Sequence, residues 1–583
     1  MKKWFLYNKK ADFQGIAAKF GIDPVTARIL RNREVNSESQ IRNFLSGTLE
    51  DGLHSPLLLP DAIRCMNNLD RCIREGRKIR IVGDYDVDGV CATYILFRGL
   101  KHLGADVDYQ IPDRIRDGYG INRSIIDRAK ADGIYTILTC DNGISAVEEL
   151  RHARELGLNV IVTDHHDVRQ KTDEDYGCES RDILPPAAAV VDAKRESSRY
   201  PFPEICGAVV AWKMIQLLYQ KRNLPVEESM EFLEFAAIAT VCDVVRLQDE
   251  NRLIVKYGLQ RIKETSNPGL AALLEITGLS EQEKISTYHI GFVLGPCINA
   301  GGRLESAVEA LALFLAEDRA EAYERAIRLK SLNDVRKDMT MEACKTAFHQ
   351  VEEAYVSDLV LVVYLPDLHE SLAGIVAGRL KERYYRPSFV ITNAEDSDDG
   401  TRMAKGSGRS IESYPMSEKL QEVSKYLTKW GGHPMAAGFS LKRSDIDAFR
   451  AALNSNCSLS REELVEKLWI DVPMPVDYIT FDLIHDFDKL EPFGTGNPKP
   501  LFATKGLTIA ALRVLGQKHN VVKLELVSGT GRRITGLIFS DVDRFMQEKE
   551  QNHHIDVVYY PDINEYNGRQ ELQIIINDYQ FKP

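Results

Sequence analysis

The chain has 583 residues, with 74 Lys+Arg against 86 Asp+Glu, a formal net charge of -12, 44% hydrophobic and 27% charged residues. This balance excludes wholesale disorder, a fibre and a membrane bundle, and the length predicts about four domains. The acidity disfavours a basic DNA coat, because non-specific binding rests on cations that neutralise phosphates.

In chain order, residues 1 to about 70 are polar, with apolar helical spacing at Ile16, Phe20, Ile29 and Leu30, and predict a small helical cap. Short apolar runs then alternate with amphipathic segments: strands at Lys78–Gly83, 106–111, Tyr135–Cys140, Asn159–Thr163 and Ala187–Val191, with helices at 90–103, 122–130 and 145–156. That alternation predicts βαβ units and a buried parallel sheet. Residues 205–345 read as helical, with a core stripe at Leu329, Leu332, Val335, Met339 and Ala343. A second α/β block starts near Asp358. From about 470 the chain is strand-rich, with strands at Val521–Val527, Ile534–Phe539, Ile555–Tyr560 and Leu572–Ile576 and a hairpin signal at Asn567-Gly568, which suggests a small barrel. Ten scattered cysteines form no CxxC and read as reduced core thiols of a cytosolic protein. The apolar stretch near the N-terminus, Trp4 to Tyr7, is too short for a signal-peptide core. Gly207 to Leu218, broken by Lys213, is too short for a membrane span. A soluble, cytoplasmic protein is expected.

The chemistry concentrates just past three strands. The first ends in Asp84-Tyr85-Asp86-Val87-Asp88-Gly89, the third in Cys140-Asp141-Asn142-Gly143, the fourth in Asp164-His165-His166-Asp167. Such like charge cannot be buried without cations. In a doubly wound sheet, ligands gather at the carboxyl ends of strands, so parallel strands would bring the three clusters together. Taken alone, the first cluster also fits a solvated turn or calcium-type loop, although EF-hand spacing is only partly met, since no Glu falls at loop position 12 from Asp84 or Asp86. Carboxylate plus imidazole suits manganese better than magnesium, and several Asp around one centre suggest two cations and hydrolysis of a phosphate ester.

These residues resemble the DHH phosphoesterase family, named for the Asp-His-His seen at Asp164-His165-His166. Three further segments narrow the resemblance to its single-strand-specific 5′→3′ exonuclease branch: Ala239-Thr240-Val241-Cys242-Asp243, similar to a fourth acidic motif; Gly431-Gly432-His433-Pro434-Met435-Ala436-Ala437-Gly438, similar to the GGH motif of the associated domain; and Leu490-Glu491-Pro492-Phe493-Gly494-Thr495-Gly496-Asn497-Pro498, similar to the entry of an oligonucleotide-binding barrel. The resemblance implies an α/β protein with a doubly wound parallel-sheet DHH domain (71–225), preceded by the helical cap (1–70). A helical segment carrying the fourth acidic motif and a long connector helix (226–350) follows, then a second α/β, DHH-associated domain (351–460) and an OB-type β-barrel (465–583). It implies Asp86, Asp88, Asp141, His165 and Asp243 as ligands of two divalent cations, manganese ahead of magnesium. His166 would lie close to the metals and the scissile phosphate, Asp84 completes the catalytic set, and Asp164 would orient His165, as metal-bound histidines need. It implies a 5′-end pocket of Arg114, Arg303, Ser407 and Arg409, where arginine clamps phosphate, with Gly431, Gly432 and His433 beside the strand. Two departures stand out: Cys297 replaces an arginine frequent in this branch, and Val82 replaces a histidine of pyrophosphatase-like members.

The expected function is metal-dependent, processive 5′→3′ hydrolysis of single-stranded DNA to mononucleotides in recombination and repair. The resemblance implies a RecQ-type helicase and a single-strand-binding protein as partners, a monomer and no membrane. The strand would thread between the two α/β blocks, its 3′-ward part held by the barrel, with Tyr559, Tyr560 and Tyr566 as stacking candidates. Alternatives are a phosphodiesterase for short oligonucleotides or cyclic dinucleotides, and a non-catalytic replication scaffold. The net acidity then requires a cationic passage lined by arginines such as Arg114, Arg303 and Arg409.

Overall fold

The structure, a computed structural model, describes residues 2–171, 181–397, 399–516, 519–539, 542–549, 552–566 and 568–581. Cys178 and Asn567 lie outside them. The chain divides into two compact units, one of Ser55–Asp243 and Gly258–Glu466, the other of Met1–His54, Val244–Tyr257 and Lys467–Pro583.

The first unit contains two five-stranded sheets and a two-stranded one of Gln170–Lys171 with Arg181–Asp182. Strands β1 (Ile79–Val82), β2 (Val107–Gln110), β3 (Thr136–Cys140), β4 (Asn159–Thr163) and β5 (Ala189–Val191) lie in the order β2-β1-β3-β4-β5, and every pairing is parallel. The residues of β1 and β3 are all buried, as expected of a sheet covered on both faces. The order reverses between β1 and β3, which places a crevice at their carboxyl ends. Helices α1 (Val87–His102), α2 (Gly207–Lys221) and α3 (Leu233–Cys242) pack together beside this sheet.

The second sheet, β6 (Leu361–Tyr364), β7 (Ser388–Asn393), β8 (Met403–Arg409), β9 (Leu427–His433) and β10 (Ala436–Lys442), has the order β9-β10-β8-β7-β6 and is mostly antiparallel. Helix α4 (Gly295–Leu304) precedes the 32-residue helix α5 (Arg319–Gln350), and α6 (Ala373–Tyr384) packs on the second sheet. The buried face of α5 follows the expected stripe in part: Leu329 is buried and Leu332, Met339 and Ala343 are half-buried. Val335 is exposed, and the face runs through Ala326, Leu329, Asn333, Thr340, Cys344 and Ala347. Asn333 is drawn inward because its side-chain amide donates to the Cys297 sulfur at 3.3 Å.

The second unit is built on a barrel. Short β11 (Val472–Pro473) flanks β12 (Phe502–Leu515), which pairs with β13 (Val521–Val527), then β14 (Arg533–Ile538), β16 (Arg569–Phe581) and β15 (His554–Tyr566), and β15 returns to β12 to close the ring. Val522, Leu524 and Leu526 alternate inward along β13. The N-terminal segment shares this core: Ile29, Leu30 and Phe44 pack with Phe487, Phe502 and Tyr559, each such side chain contributing about 1.5–3 kcal/mol of burial. Arg252, fully buried, donates to the carbonyls of Phe44, Lys489 and Leu490. Among the described residues, nine cysteines are free and seven of these are buried, and no helix is long and apolar enough to cross a membrane.

Candidate metal and phosphate site

The clusters at the ends of β1, β3 and β4 meet in the crevice of the first sheet. Asp86 caps α1, accepting from the Gly89 amide at 3.1 Å, an ordinary N-cap role. Asp88 accepts the amides of Gly207 and Ala208 at 2.6 and 2.8 Å, so its charge faces the first turn of α2. Gly207 is required there: a Cβ would lie 2.8 Å from the Asp141 Cβ. Asp141 has φ +60°, a left-handed turn that Asp tolerates better than most residues. The buried Asn142 side chain fixes this turn by donating to the carbonyls of Val82 and Cys140.

The His165 ring lies among the carboxylates, its Nε2 3.0 Å from Asp141 and 3.4 Å from Asp88, its Nδ1 3.7 Å from Asp243. Two groups of ligand atoms, each within 4.8 Å of one another, result: Asp84, Asp86 and Asp141, and Asp88, His165 and Asp243; a third, Asp141, His165 and His166, overlaps both. Burial and the neighbouring Asp86 push Asp84 well above the usual carboxylate range. Burial and four surrounding aspartates do the same to Asp141. Burial, with Asp88 and Asp86, lifts Asp243 to about 8. Neither oxygen of Asp84, only 1% exposed, has a hydrogen-bond partner among the described residues. Orphaned, mutually repelling carboxylates beside an imidazole are what divalent cations would satisfy, and the donor set suits manganese or magnesium.

Asp164 differs from expectation. Its carboxylate accepts from the His166 ring Nδ1 at 2.8 Å and from the amides of Ile144, His165 and His166. The ring it orients is therefore that of His166, and it holds His165 only through the backbone. Burial opposes charge on Asp164, but the His166 hydrogen bond and the neighbouring imidazoles hold its carboxyl below the usual range. Burial likewise opposes charge on His166, yet Asp164 raises it to about 9.

Next to this centre, Arg114, Ser407 and Gly431 line a cavity of about 470 Å³ with Tyr85, Lys405 and Trp430. Arg114 lies over the Tyr85 ring, 4.4 Å from its centroid. Arg303 donates to the Ser371 carbonyl at 2.8 Å, and Arg409 to Ser407 Oγ at 3.2 Å. Burial, then repulsion from Arg114, Arg336 and Arg409, lowers Arg303 to about 10. None of Arg114, Arg303 and Arg409 forms an ion pair among the described residues. Ser371 and Ala373 bring the start of α6 to the same cavity, and a helix N-terminus favours anions. The cations that line the cavity are Arg114, Lys429 and Lys405, the last paired with Glu370 at 2.8 Å, and neither Arg303 nor Arg409 is among its lining residues.

Gly432 serves its own hairpin, with φ +149° and a Cβ that would strike the Ala436 carbonyl at 2.4 Å. A Cβ on Gly431 would meet nothing within 4 Å. His433 is exposed and acts electrostatically on Asp167, one residue past the Asp-His-His motif. Cys297 is buried, so its thiol does not replace an arginine at the surface.

The DHH-family N-terminal domain profile matches residues 78–240, the DHHA1 domain profile residues 358–459 and the RecJ OB domain profile residues 470–578. Over 579 residues the chain is 33% identical to the single-stranded-DNA-specific exonuclease RecJ of Bacillus subtilis, covering 99% of this chain and 70% of that protein. The chain belongs to the RecJ family. It is 32% identical to RecJ of Escherichia coli, with 96% of each covered. The crystal structure of RecJ from Thermus thermophilus in complex with Mn2+ superposes with a TM-score of 0.81 at 27% identity, covering 100% of this chain and 80% of that one.

Two site residues carry no weight in the sequence reading. The Tyr119 hydroxyl donates to the Asp141 carbonyl at 2.9 Å and lies 3.1 and 3.3 Å from the two His166 ring nitrogens. A lone tyrosine in a loop offers no spacing signal. Asp192 is fully buried just past β5, and burial with Asp164 nearby raises it to about 8. It could have been found, because the rule that selects Asp84, Asp141 and Asp164 selects the residue after Val191 too.

These shifts predict how a RecJ-family site behaves without cations. Asp84, Asp141, Asp192 and Asp243 bind protons more tightly folded than unfolded, so stability falls as pH rises from the free-carboxylate range near 4 towards about 8. His166 acts in the same direction, losing its contribution as pH rises through about 9. His165, lowered by burial, opposes them and gains as pH rises through its unfolded value near 6.5. In EDTA the melting temperature should fall by several degrees between about pH 6 and pH 8, and saturating Mn2+ should remove that fall. A melting temperature that climbs over this range in EDTA would contradict the assignment.

Proposed function

We propose that this protein is a metal-dependent exonuclease that hydrolyses single-stranded DNA processively from the 5′ end to mononucleotides. The observation that carries this reading is the pairing, in one unit, of a carboxylate–histidine centre with a cavity lined by Arg114, Ser407 and Gly431. A terminal phosphate in the pocket places the next phosphodiester at the centre.

Asp84, Asp86 and Asp141 on one side, and Asp88, His165 and Asp243 on the other, would hold two divalent cations, Mn2+ ahead of Mg2+. Bound there, such cations lower the pKa of an attacking water and stabilise charge on the phosphate being cleaved. The residues do the rest. Arg114, Arg303, Ser407 and Arg409 clamp the 5′-phosphate, Gly431 leaves room for the strand, Gly432 shapes that edge, and His433 donates to a backbone oxygen. His166, hydrogen-bonded to Asp164, would lie beside the metals and the scissile phosphate, and Tyr119 fixes the ring. Trp430, 43% exposed, offers a face to a terminal base.

The barrel retains the strand by stacking and backbone charge. Of its expected stacking residues, Tyr559 and Tyr560 are core side chains, 0% and 8% exposed, with the Tyr559 hydroxyl donating to the Met474 carbonyl. Tyr566, 71% exposed, is available. In the cell the enzyme would act as a cytoplasmic monomer on strands opened by a RecQ-type helicase and coated by a single-strand-binding protein, in recombination and repair.

The deciding assay incubates 5′- and 3′-labelled single strands, duplex and RNA with Mn2+, Mg2+ or EDTA. Mononucleotides released first from the 5′ label of single-stranded DNA are expected. Tight binding without hydrolysis under any metal would favour the scaffold, and cleavage confined to di- and trinucleotides the oligonucleotide phosphodiesterase.

A further inference from the structure

We propose a second contact surface for single-stranded nucleic acid, outside the barrel, on the two-stranded sheet of Lys3–Leu6 and Lys467–Ile470; it rests on the reading of the chain as a single-strand nuclease. The strands run parallel, with Lys3 opposite Lys467 and Phe5 opposite Trp469, and the Tyr7 amide extends the ladder to the Ile470 carbonyl at 3.1 Å. Side chains alternate along a strand, so Lys3, Phe5 and Tyr7 share one face with Lys467 and Trp469.

The opposite face turns towards the barrel, with Leu6 still 52% exposed. Trp4 donates from its indole nitrogen to Asp578 at 2.6 Å, and Trp4, Leu6 and Ile470 line a cavity against the barrel strands. On the aromatic face Phe5 and Tyr7 are half-buried and Lys3 is exposed. Trp469 is 45% exposed, and its ring stacks against Tyr7 at 5.0 Å and 30° and tilts against Phe5 at 5.3 Å. The Lys3 ammonium lies 6.0 Å from the Phe5 ring centroid. Aromatic faces in a row on a sheet, flanked by cations, are the recurring physical solution for unpaired bases and their phosphates. Both components are needed. The lysines match the charge of a strand that the chain as a whole, at -12, would repel. The rings match bases that only a single strand exposes. This choice of occupant follows from the rings, because an acidic peptide would meet the lysines but leave the exposed part of Trp469 without a flat partner.

The test measures binding of a fluorescent thirty-nucleotide oligo-dT to the full chain in EDTA, where nothing is hydrolysed. Trp469→Ala should weaken binding about fivefold or more, the loss of one base stack, whereas Trp469→Phe, which keeps a ring, should stay within about twofold of wild type. Lys467→Glu should reduce the salt dependence by about one phosphate contact. An abasic oligomer of the same length should bind wild type and Trp469→Ala equally. Wild-type affinity for dT in Trp469→Ala, an equal loss in Trp469→Phe, or an equal loss on the abasic strand would each overturn the proposal. Absence of Mn2+-dependent hydrolysis in the wild type would instead count against the nuclease reading, and these binding results do not depend on it.

Discussion

Replacing Asp141 with alanine should lower Mn2+-dependent hydrolysis of a 5′-labelled single strand by about a thousandfold or more, since metal assistance is worth several kcal/mol of transition-state stabilisation. Asp141 belongs to two of the three ligand groups and touches His165 at 3.0 Å, so its loss disorganises both sides of the centre. The companion effect has the opposite sign. In EDTA near pH 8, Asp141→Asn should melt above wild type, because one of several buried, mutually repelling carboxylates is gone and Asn keeps the left-handed turn. Asp141→Ala should gain less, since a Cβ-bearing residue with no polar side chain costs about 1 kcal/mol or more in that turn. Steady-state rates and melting curves of the two variants check both signs. Activity within tenfold of wild type in either variant would remove Asp141 from the centre.

The largest expected loss of stability lies in the other unit. Arg33 and Asp471, both about 3% exposed, make a two-pronged pair at 2.7 and 3.0 Å. Arg33 also donates to the Pro498 carbonyl, Asn32 to Asp471, and the Leu501 amide to the Asp471 carboxylate. Asp471→Ala strands a buried guanidinium and should cost about 3–5 kcal/mol. Arg33→Met combined with Asp471→Leu should recover most of it, because removing both charges also removes their desolvation cost. Hydrogen exchange should show the loss in peptides from 1–54 and 467–583 and leave those from β1 to β4 protected. Uniform deprotection of both units would contradict this local role.

The same contacts explain what could and could not be read from the chain. Four strands of the first sheet were legible because each is a short, mostly apolar run ending at a polar turn, and Val107–Gln110, with Asp108 and Gln110, only from its place in the βαβ alternation; the meeting of the three acidic clusters followed, since parallel strands deliver their carboxyl-end residues to one crevice. The barrel strand Phe502–Leu515 was not, because Gly506 and a bulge at Ile509 to Ala511 interrupt its alternation. Nor was the place of residues 1–54. Their helical spacing is visible, but the partner of that apolar face is a set of residues more than 400 positions away, such as Asp486 with Thr26, and periodicity says which face is buried without saying against what. Lys3–Leu6 pairs in parallel with Lys467–Ile470, again more than 400 positions away. At the site, Asp164 was assigned to the wrong neighbour because His165 and His166 are adjacent, and only the turn after β4 decides which ring points back.

The unit that joins Met1–His54 to Lys467–Pro583 also imposes an order of events on the growing polypeptide. At about 5–20 residues per second of synthesis, the first helices leave the ribosome on the order of tens of seconds before the strands that complete their core exist. The body carrying the Asp-His-His motif can fold during that interval, since all its residues precede Lys467. The N-terminal helices must meanwhile wait with Ile29, Leu30 and Phe44 uncovered, so the nascent chain acquires its cutting centre before it acquires its barrel.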